Sequence, residues 1–183
     1  MKIIGISGSP RKDGNTEYLL QKLVSSFNGE FIRLCKFKIG HCQSCWKCRK
    51  TENCILDDDM TKILIPKLLD ADVMILGSPV YFNNVSSIMK AFIDRTWSIR
   101  GKLRNKLGAS VVVGRHYGAE SATVAIQSFF LKHEMIVANR GVSGIGYEKG
   151  DIAEDEEAQS ATISLIERLK ELGERLITDT QVE

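Results

Sequence analysis

The chain has 183 residues, of which 43% are hydrophobic and 26% charged, with a formal charge of +2. That length is enough for one domain with a substantial core, and so weak a charge gives no basis for a nucleic-acid surface. No apolar run nears the roughly 20 residues a spanning helix needs, and "MKIIGISGSP" lacks the pattern of a signal peptide, so the expectation is one cytoplasmic domain over residues 1–183, without membrane contact.

The first strand is expected at "KIIGIS", 2–7, a short apolar run of the kind buried on both faces of a parallel sheet. "SGSPRKDGNT", 7–16, leaves that strand and opens a helix over "NTEYLLQKLVSSF", with Asn15 or Thr16 as cap and Tyr18, Leu19, Leu23 and Phe27 near one face. The loop offers Ser7, Ser9 and Thr16 hydroxyls, the Asn15 amide, the Arg11 cation, and Gly8 and Gly14 for close backbone approach. Backbone N–H groups at a helix start favour an anion. Neither the Walker pattern nor G-x-G-x-x-G is present, so a phosphate monoester such as that of FMN is the better candidate.

A second strand, "EFIRL" at 30–34, leads into residues 35–58, too long for a plain connector. Four of the five cysteines lie there, as Cys42, Cys45, Cys48 and Cys54, spaced C-x2-C-x2-C-x5-C. Disulfides, zinc, an iron-sulfur cluster and idle thiols are all conceivable. Three ligands from contiguous two-residue steps favour iron and sulfide over zinc, which usually takes two ligands from each of two separated knuckles. Cys35 falls outside the spacing and reads as a small buried apolar residue. Trp46 would cover such a site or pack at a subunit boundary. "DDD" at 57–59 reads as caps for the helix "DDMTKILIPKLLD", in which Pro66 marks a kink or boundary.

The third strand, "DVMILGS" at 72–78, runs into "GSPVYFNNVSSIMKAFIDR", 77–95. In a sheet ordered 2-1-3-4-5 the first and third strands meet at the switch point, where open sheets bind ligands. Tyr81 and Phe82 then offer aromatic faces, Asn83 and Asn84 amides, and the backbone at Pro79 and Val80 the edge of a planar ring. A fourth strand, "GASVVVG" at 108–114, brings Gly114, Arg115, Tyr117 and Gly118 to the same edge. The basic run "RTWSIRGKLRNK" is a solvated face or a docking patch for an acidic electron carrier. A helix over "AESATVAIQSFFLKH", a fifth strand at "MIVA", 135–138, a long loop over 139–153 and a last helix over "DEEAQSATISLIERLKELGERLI" complete the chain. The three histidines share no spacing with one another or with a nucleophile, so a hydrolase triad has no support. The alternation predicts an α/β doubly wound five-stranded parallel sheet with helices on both faces.

"GISGSPRKDGNT", "GSPVYFNNVSSIMKAFIDR" and the cysteine stretch followed by "DDDM", in that order, resemble the iron-sulfur flavoprotein branch of the flavodoxin-like NAD(P)H-dependent FMN reductases. The resemblance covers residues 1 to about 140, and only the cysteines point to the narrower branch. It implies a flavodoxin-like fold with a cysteine-rich insertion after the second strand, and FMN as cofactor. It also implies a homodimer or homotetramer that buries the cluster loop. Ser7, Ser9, Arg11, Asn15 and Thr16 match its phosphate motif, and residues 79–84 its flavin-ring motif. The expected function is electron transfer between the flavin and a 4Fe-4S cluster or external acceptors, with NAD(P)H a possible donor and a ferredoxin-like carrier a possible partner. The alternatives are an NAD(P)H-dependent FMN or quinone reductase without a cluster, a carrier that only shuttles electrons, and a zinc-stabilised interaction module.

Overall fold

Apolar runs with no polar alternation must be covered on both sides, and the first, third and fourth such runs of the chain are. In the computed structural model, which describes residues 1–179, strands β1 (Ile3–Ser7), β3 (Val73–Tyr81) and β5 (Leu107–Gly114) lie side by side in parallel, with β2 (Glu30–Arg33) outside β1. One apolar layer, including Ile6, Leu76, Phe92 and Phe130, packs on one face of the sheet. A second, including Leu19, Leu23, Ile75, Val111 and Leu165, packs on the other. Helices therefore flank both faces: α4 (Ser87–Arg95) and α5 (Ala119–Lys132) on the first, α1 (Asn15–Ser25) and α6 (Glu156–Asp179) on the second.

The five-strand expectation is corrected. The sheet has seven strands in the order β2-β1-β3-β5-β6, with β4 (Asn84–Val85) paired antiparallel to β3 and β7 (Val142–Ile145) paired to β5. The expected fifth strand at 135–138 is only β6 (Ile136–Val137), and the ladder resumes at β7, in what reads as loop. The break has a local cause. Gly141 has φ of +91° and passes so close to Ser110 that a Cβ would lie 2.1 Å from its Oγ, so the backbone leaves the ladder and re-enters it beyond.

Other corrections are smaller. Helix α1 begins after Gly14 rather than after Asn15 or Thr16, and it buries Thr16, Leu19, Leu20, Leu23 and Val24, whereas Tyr18 is exposed. Cys35 is exposed, because the 3₁₀ turn Leu34–Lys36 follows an edge strand and turns only Leu34 inward. Residues 35–58, between β2 and β3, hold the four-residue helix α2 (Cys48–Thr51) and end in a π turn, Met60–Leu64, that leads into α3 (Ile65–Asp70) with Pro66 in its first turn. Pro66, which has no N–H, falls where the continuous helical backbone passes from the π turn into α3, just after Ile65 N–H bonds the Met60 carbonyl.

Candidate functional site

The carboxyl ends of β1, β3 and β5 face one cavity of about 260 Å³. The β1 loop reaches it as a self-bonded turn. Ser9 N–H donates to Ser7 Oγ at 3.2 Å, and Arg11 N–H to Ser9 Oγ at 3.2 Å. Gly8 N–H bonds the Gly77 carbonyl at 2.7 Å, and the Ser86 hydroxyl donates to the Gly8 carbonyl at 2.7 Å, tying this loop to the start of α4. A Cβ at Gly8 would meet Met89 and Ser86 within 3 Å, so only glycine allows that approach. Helix α1 then starts at the cavity wall with no side-chain cap, leaving its N-terminal amides and the positive end of its dipole toward the cavity.

Beyond Pro79, β3 turns back through Phe82 (φ +49°) and Asn83 (φ +58°) into β4, a two-residue hairpin with both central residues at positive φ. Asparagine tolerates that conformation, whereas a phenylalanine there is strained, and the ring of Phe82 stands fully in solvent. From β5, Gly114 packs so closely on Val80 that a Cβ would lie 2.9 Å from its Cγ2. Gly118 (φ +81°) lies under Asn83 in the same way, at 2.5 Å from its Cα.

Of the residues expected at this edge, Ser9, Arg11, Asn15, Thr16, Pro79, Val80, Tyr81, Gly114 and Arg115 line the cavity. Ser7 is fully buried beneath it. Phe82, Asn83, Asn84, Tyr117 and Gly118 are not on its wall; they form the hairpin and the rim that braces it. Asn15 has a different part from the one expected. Its Nδ2 donates to the Glu148 carbonyl at 2.8 Å and its Oδ1 accepts from Gly150 N–H at 2.8 Å, so both ends of its amide hold the loop after β7.

That loop supplies Gly146 and two wall residues the sequence reading missed, Tyr147 and Lys149, while Lys12 comes from the β1 loop and Val113 from the end of β5. The length of residues 139–153 and the glycine run "GVSGIG" at 141–146, of a kind that suits a cofactor edge, were the available signals. Arg11, Lys12, Arg115 and Lys149 put four cations around the cavity. Among the described residues Lys149 reaches Asp13 at 3.8 Å, and Arg115 lies over the Tyr147 ring at 5.6 Å. A helix N-terminus among four cations has the electrostatic character that favours a phosphate dianion.

The four spaced cysteines line a different cavity, of about 660 Å³, between the segment that carries them and helices α4 and α5. The two cavities share no wall residue. All five cysteines are free, and among the described residues no group of three His, Cys, Asp or Glu side chains is gathered closely enough to hold a metal ion. The segment is anchored at its base by Arg95, whose side chain is fully buried. Its Nη1 and Nη2 donate to Asp58 at 2.6 and 3.0 Å, and Nη1 also to the Gly40 carbonyl at 2.8 Å. Burial opposes the charge on Asp58, but the Arg95 hydrogen bonds, the Gly40 N–H and the guanidinium charge outweigh it and hold the carboxyl below the usual carboxylate range. Burial likewise opposes the Arg95 charge, and Asp58 and the nearby Cys54 sulfur outweigh it.

The "DDD" run thus divides its tasks. Asp57 pairs with Lys62, Asp58 accepts from the Met60 N–H while holding Arg95, and Asp59 accepts from Lys38 N–H. The basic run after α4 is partly engaged, with Lys102 on Glu52, Arg104 on Glu134 and Lys106 on the Leu69 and Ala71 carbonyls.

A sequence model described as NADPH-dependent FMN reductase matches residues 1–150. An iron-sulfur flavoprotein of Methanocaldococcus jannaschii is 40% identical over 172 residues, 85% of this chain and 89% of that one. An iron-sulfur flavoprotein of Methanosarcina thermophila is 34% identical over 176 residues, 90% of each chain. Among solved structures, the Trp repressor binding protein of Bacillus subtilis superposes with a TM-score of 0.70 at 25% identity, covering 90% of this chain and 96% of that one.

Proposed function

Since the chain belongs to the iron-sulfur flavoprotein branch of the NADPH-dependent FMN reductase family and is a flavin-dependent oxidoreductase, we propose that its β1–β3–β5 cavity is where FMN binds. One observation carries this reading: the uncapped start of α1 opens among four cations, on the same cavity as the extended Pro79–Tyr81 backbone. Ser9, Arg11, Thr16 and the first amides of α1 hold the phosphate, and Asn15 holds the far wall in place. A cavity of about 260 Å³ is below the 300–1,000 Å³ usual for an enclosed ligand, so the ring lies at the mouth, along Pro79–Tyr81 and near Arg115. When bound, FMN supplies the coupling of two-electron and one-electron transfer, while the chain sets position and water access. NAD(P)H is the proposed donor, on the description of the family.

Cys42, Cys45, Cys48 and Cys54 are the proposed ligands of a 4Fe-4S cluster. The donor set supports this: four thiols on one wall with Arg95 charge beside Cys54, in a chain whose relatives are named iron-sulfur flavoproteins. Loading requires the segment to draw its sulfurs together. A ferredoxin-like carrier is the proposed partner. The proposed assembly is a homodimer or homotetramer in which a second copy covers Phe82 and Tyr117, large apolar rings left in solvent at the cavity mouth.

The second reading is an NAD(P)H-dependent FMN or quinone reductase with empty thiols, and the ungathered sulfurs favour it. Anaerobic purification, an absorption spectrum, and assays of iron, acid-labile sulfide and released FMN separate the two. Flavin bands with a broad cluster shoulder and four irons per chain support the first reading. Flavin bands alone support the second, and zinc with no flavin would overturn both.

A further inference from the structure

The cysteine cavity is larger than four sulfurs explain. At about 660 Å³ it lies in the middle of the range for small-molecule sites, and its wall is apolar and aromatic both beside the thiols, at Trp46 and Ile55, and on the helices, at Ile93, Trp97 and Phe129. Trp46 and Trp97 meet edge to face with centroids 6.1 Å apart, which leaves ring surface on both for a planar guest.

The rim has the opposite character. The Arg100 guanidinium lies 5.2 Å and the Lys132 ammonium 5.3 Å from the centre of the Trp97 ring, and both residues line the cavity. Lys90, also on the wall, is neutralised by Asp94, but Arg100 and Lys132 have no carboxylate within ion-pair distance among the described residues.

Two polar atoms in residues of this wall also lack partners. His133 is 3% exposed. Its Nε2 contacts Thr96 Oγ1 at 3.0 Å, and since that hydroxyl donates to the Ile93 carbonyl, Nε2 carries the proton and Nδ1 is left as an acceptor with no donor. Trp97 Nε1–H is a donor with no acceptor. Both atoms are buried beneath the cavity surface and do not open onto it, so the character of the site rests on its rings and its two cations.

We propose that this cavity is a second ligand site, separate from the flavin cavity, for a planar two-ring aromatic anion. Its rings would lie between Trp97 and Phe129, and its anionic head at Arg100 and Lys132. Such an occupant covers the wall that bears the cysteines, so its binding governs solvent access to those sulfurs. The site is formed with the sulfurs ungathered; drawing them onto a cluster would carry Trp46 and Ile55 along and reshape it.

The chain has two tryptophans, both on this cavity, so its ¹H–¹⁵N spectrum has two indole N–H signals, assigned through Trp46→Phe. The as-purified protein, with and without iron, is titrated with 2-naphthoate, 2-naphthamide and 2-naphthylmethylammonium, followed by calorimetry and by those two signals. The expected result is saturable 2-naphthoate binding that shifts the Trp97 signal, roughly fivefold weaker binding of the neutral amide, and weaker binding still of the cation. Arg100→Ala weakens the carboxylate and leaves the amide unchanged. Ala125→Phe, which fills the wall from α5, abolishes binding while flavin content stays the same. In iron-free protein, saturating 2-naphthoate also slows maleimide labelling of the thiols. Any one of three results overturns the proposal: no saturable binding up to millimolar ligand, equal binding of all three compounds, or binding that appears only when dilution dissociates the protein. The last would assign the cavity to a second copy of the chain.

Discussion

Replacing Asp58 by Asn removes one charge and almost no volume, and it strands the Arg95 guanidinium. The Arg95 side chain has no exposure and that of Asp58 is 16% exposed, so water does little to replace the lost partner. What remains for Arg95 is one neutral amide oxygen of the new side chain, the Gly40 carbonyl and the Cys54 sulfur, with no counter-charge and with Nε already unpartnered. Breaking one side of such a buried pair costs about 3–5 kcal/mol, a large part of the 5–15 kcal/mol by which proteins are stable. With a urea slope near 2–3 kcal/mol/M, the midpoint for Asp58→Asn falls by about 1–2 M, read by far-UV circular dichroism at pH 7. Because the folded carboxyl sits below its unfolded value, the stabilisation is complete above about pH 4 and is lost as pH falls through the folded value. The Asn variant therefore lacks that acid limb. The double change Asp58→Leu with Arg95→Met removes both charges and recovers much of the loss. A midpoint shift equivalent to less than about 1 kcal/mol, with an unchanged acid limb, would refute this account of how the cysteine segment is anchored.

His133 governs a separate pH window. Burial lowers its ring to about 4, so its contribution to stability is full above about pH 6.5 and declines as pH falls from there toward 4. In His133→Gln the melting temperature measured between pH 7 and pH 4.5 should fall less steeply than in the parent; equal slopes would contradict the assignment. Arg11→Ala should weaken FMN about tenfold, the worth of one charge-assisted phosphate contact, and leave riboflavin unaffected in a flavin-fluorescence titration. Gly146→Val places a side chain 2.3 Å from the Asn15 amide nitrogen and breaks its hold on Glu148 and Gly150. FMN affinity should drop about tenfold with circular dichroism unchanged, and parent-like affinity would show that the clamp is dispensable.

The strands legible from residue type were those enclosed on both faces. β1, β3 and β5 appear in the sequence as unbroken apolar runs because nothing polar fits between two helical layers. β7 was hidden because "VSGI" has two small residues where a strand signal needs bulk, and what places it is the crowding of Gly141 against Ser110, which links residues 31 apart in the chain. The site divided the same way. Ser9, Arg11 and Thr16 follow directly from the end of β1, and Pro79–Tyr81 from β3, so their position was implied by the strands. Tyr147 and Lys149 arrive through β7, so missing that strand hid them. Asp58 was legible as a cap, while its role as the Arg95 counterion depends on α4 passing beneath, which local sequence does not record.

The amide of Asn15 spans 133 and 135 positions of sequence to reach Glu148 and Gly150. The first helix and the β7 loop of the same cavity are therefore synthesised at well-separated times. A chain leaving the ribosome N-terminus first, at about 5–20 residues per second, can form the loop after β1 and even β1–β3 early, yet it has no closed pocket until residue 150 has emerged. Closure of the proposed flavin cavity thus waits for that loop. A chain truncated before that loop should retain the nucleotide-binding motif and bind flavin poorly.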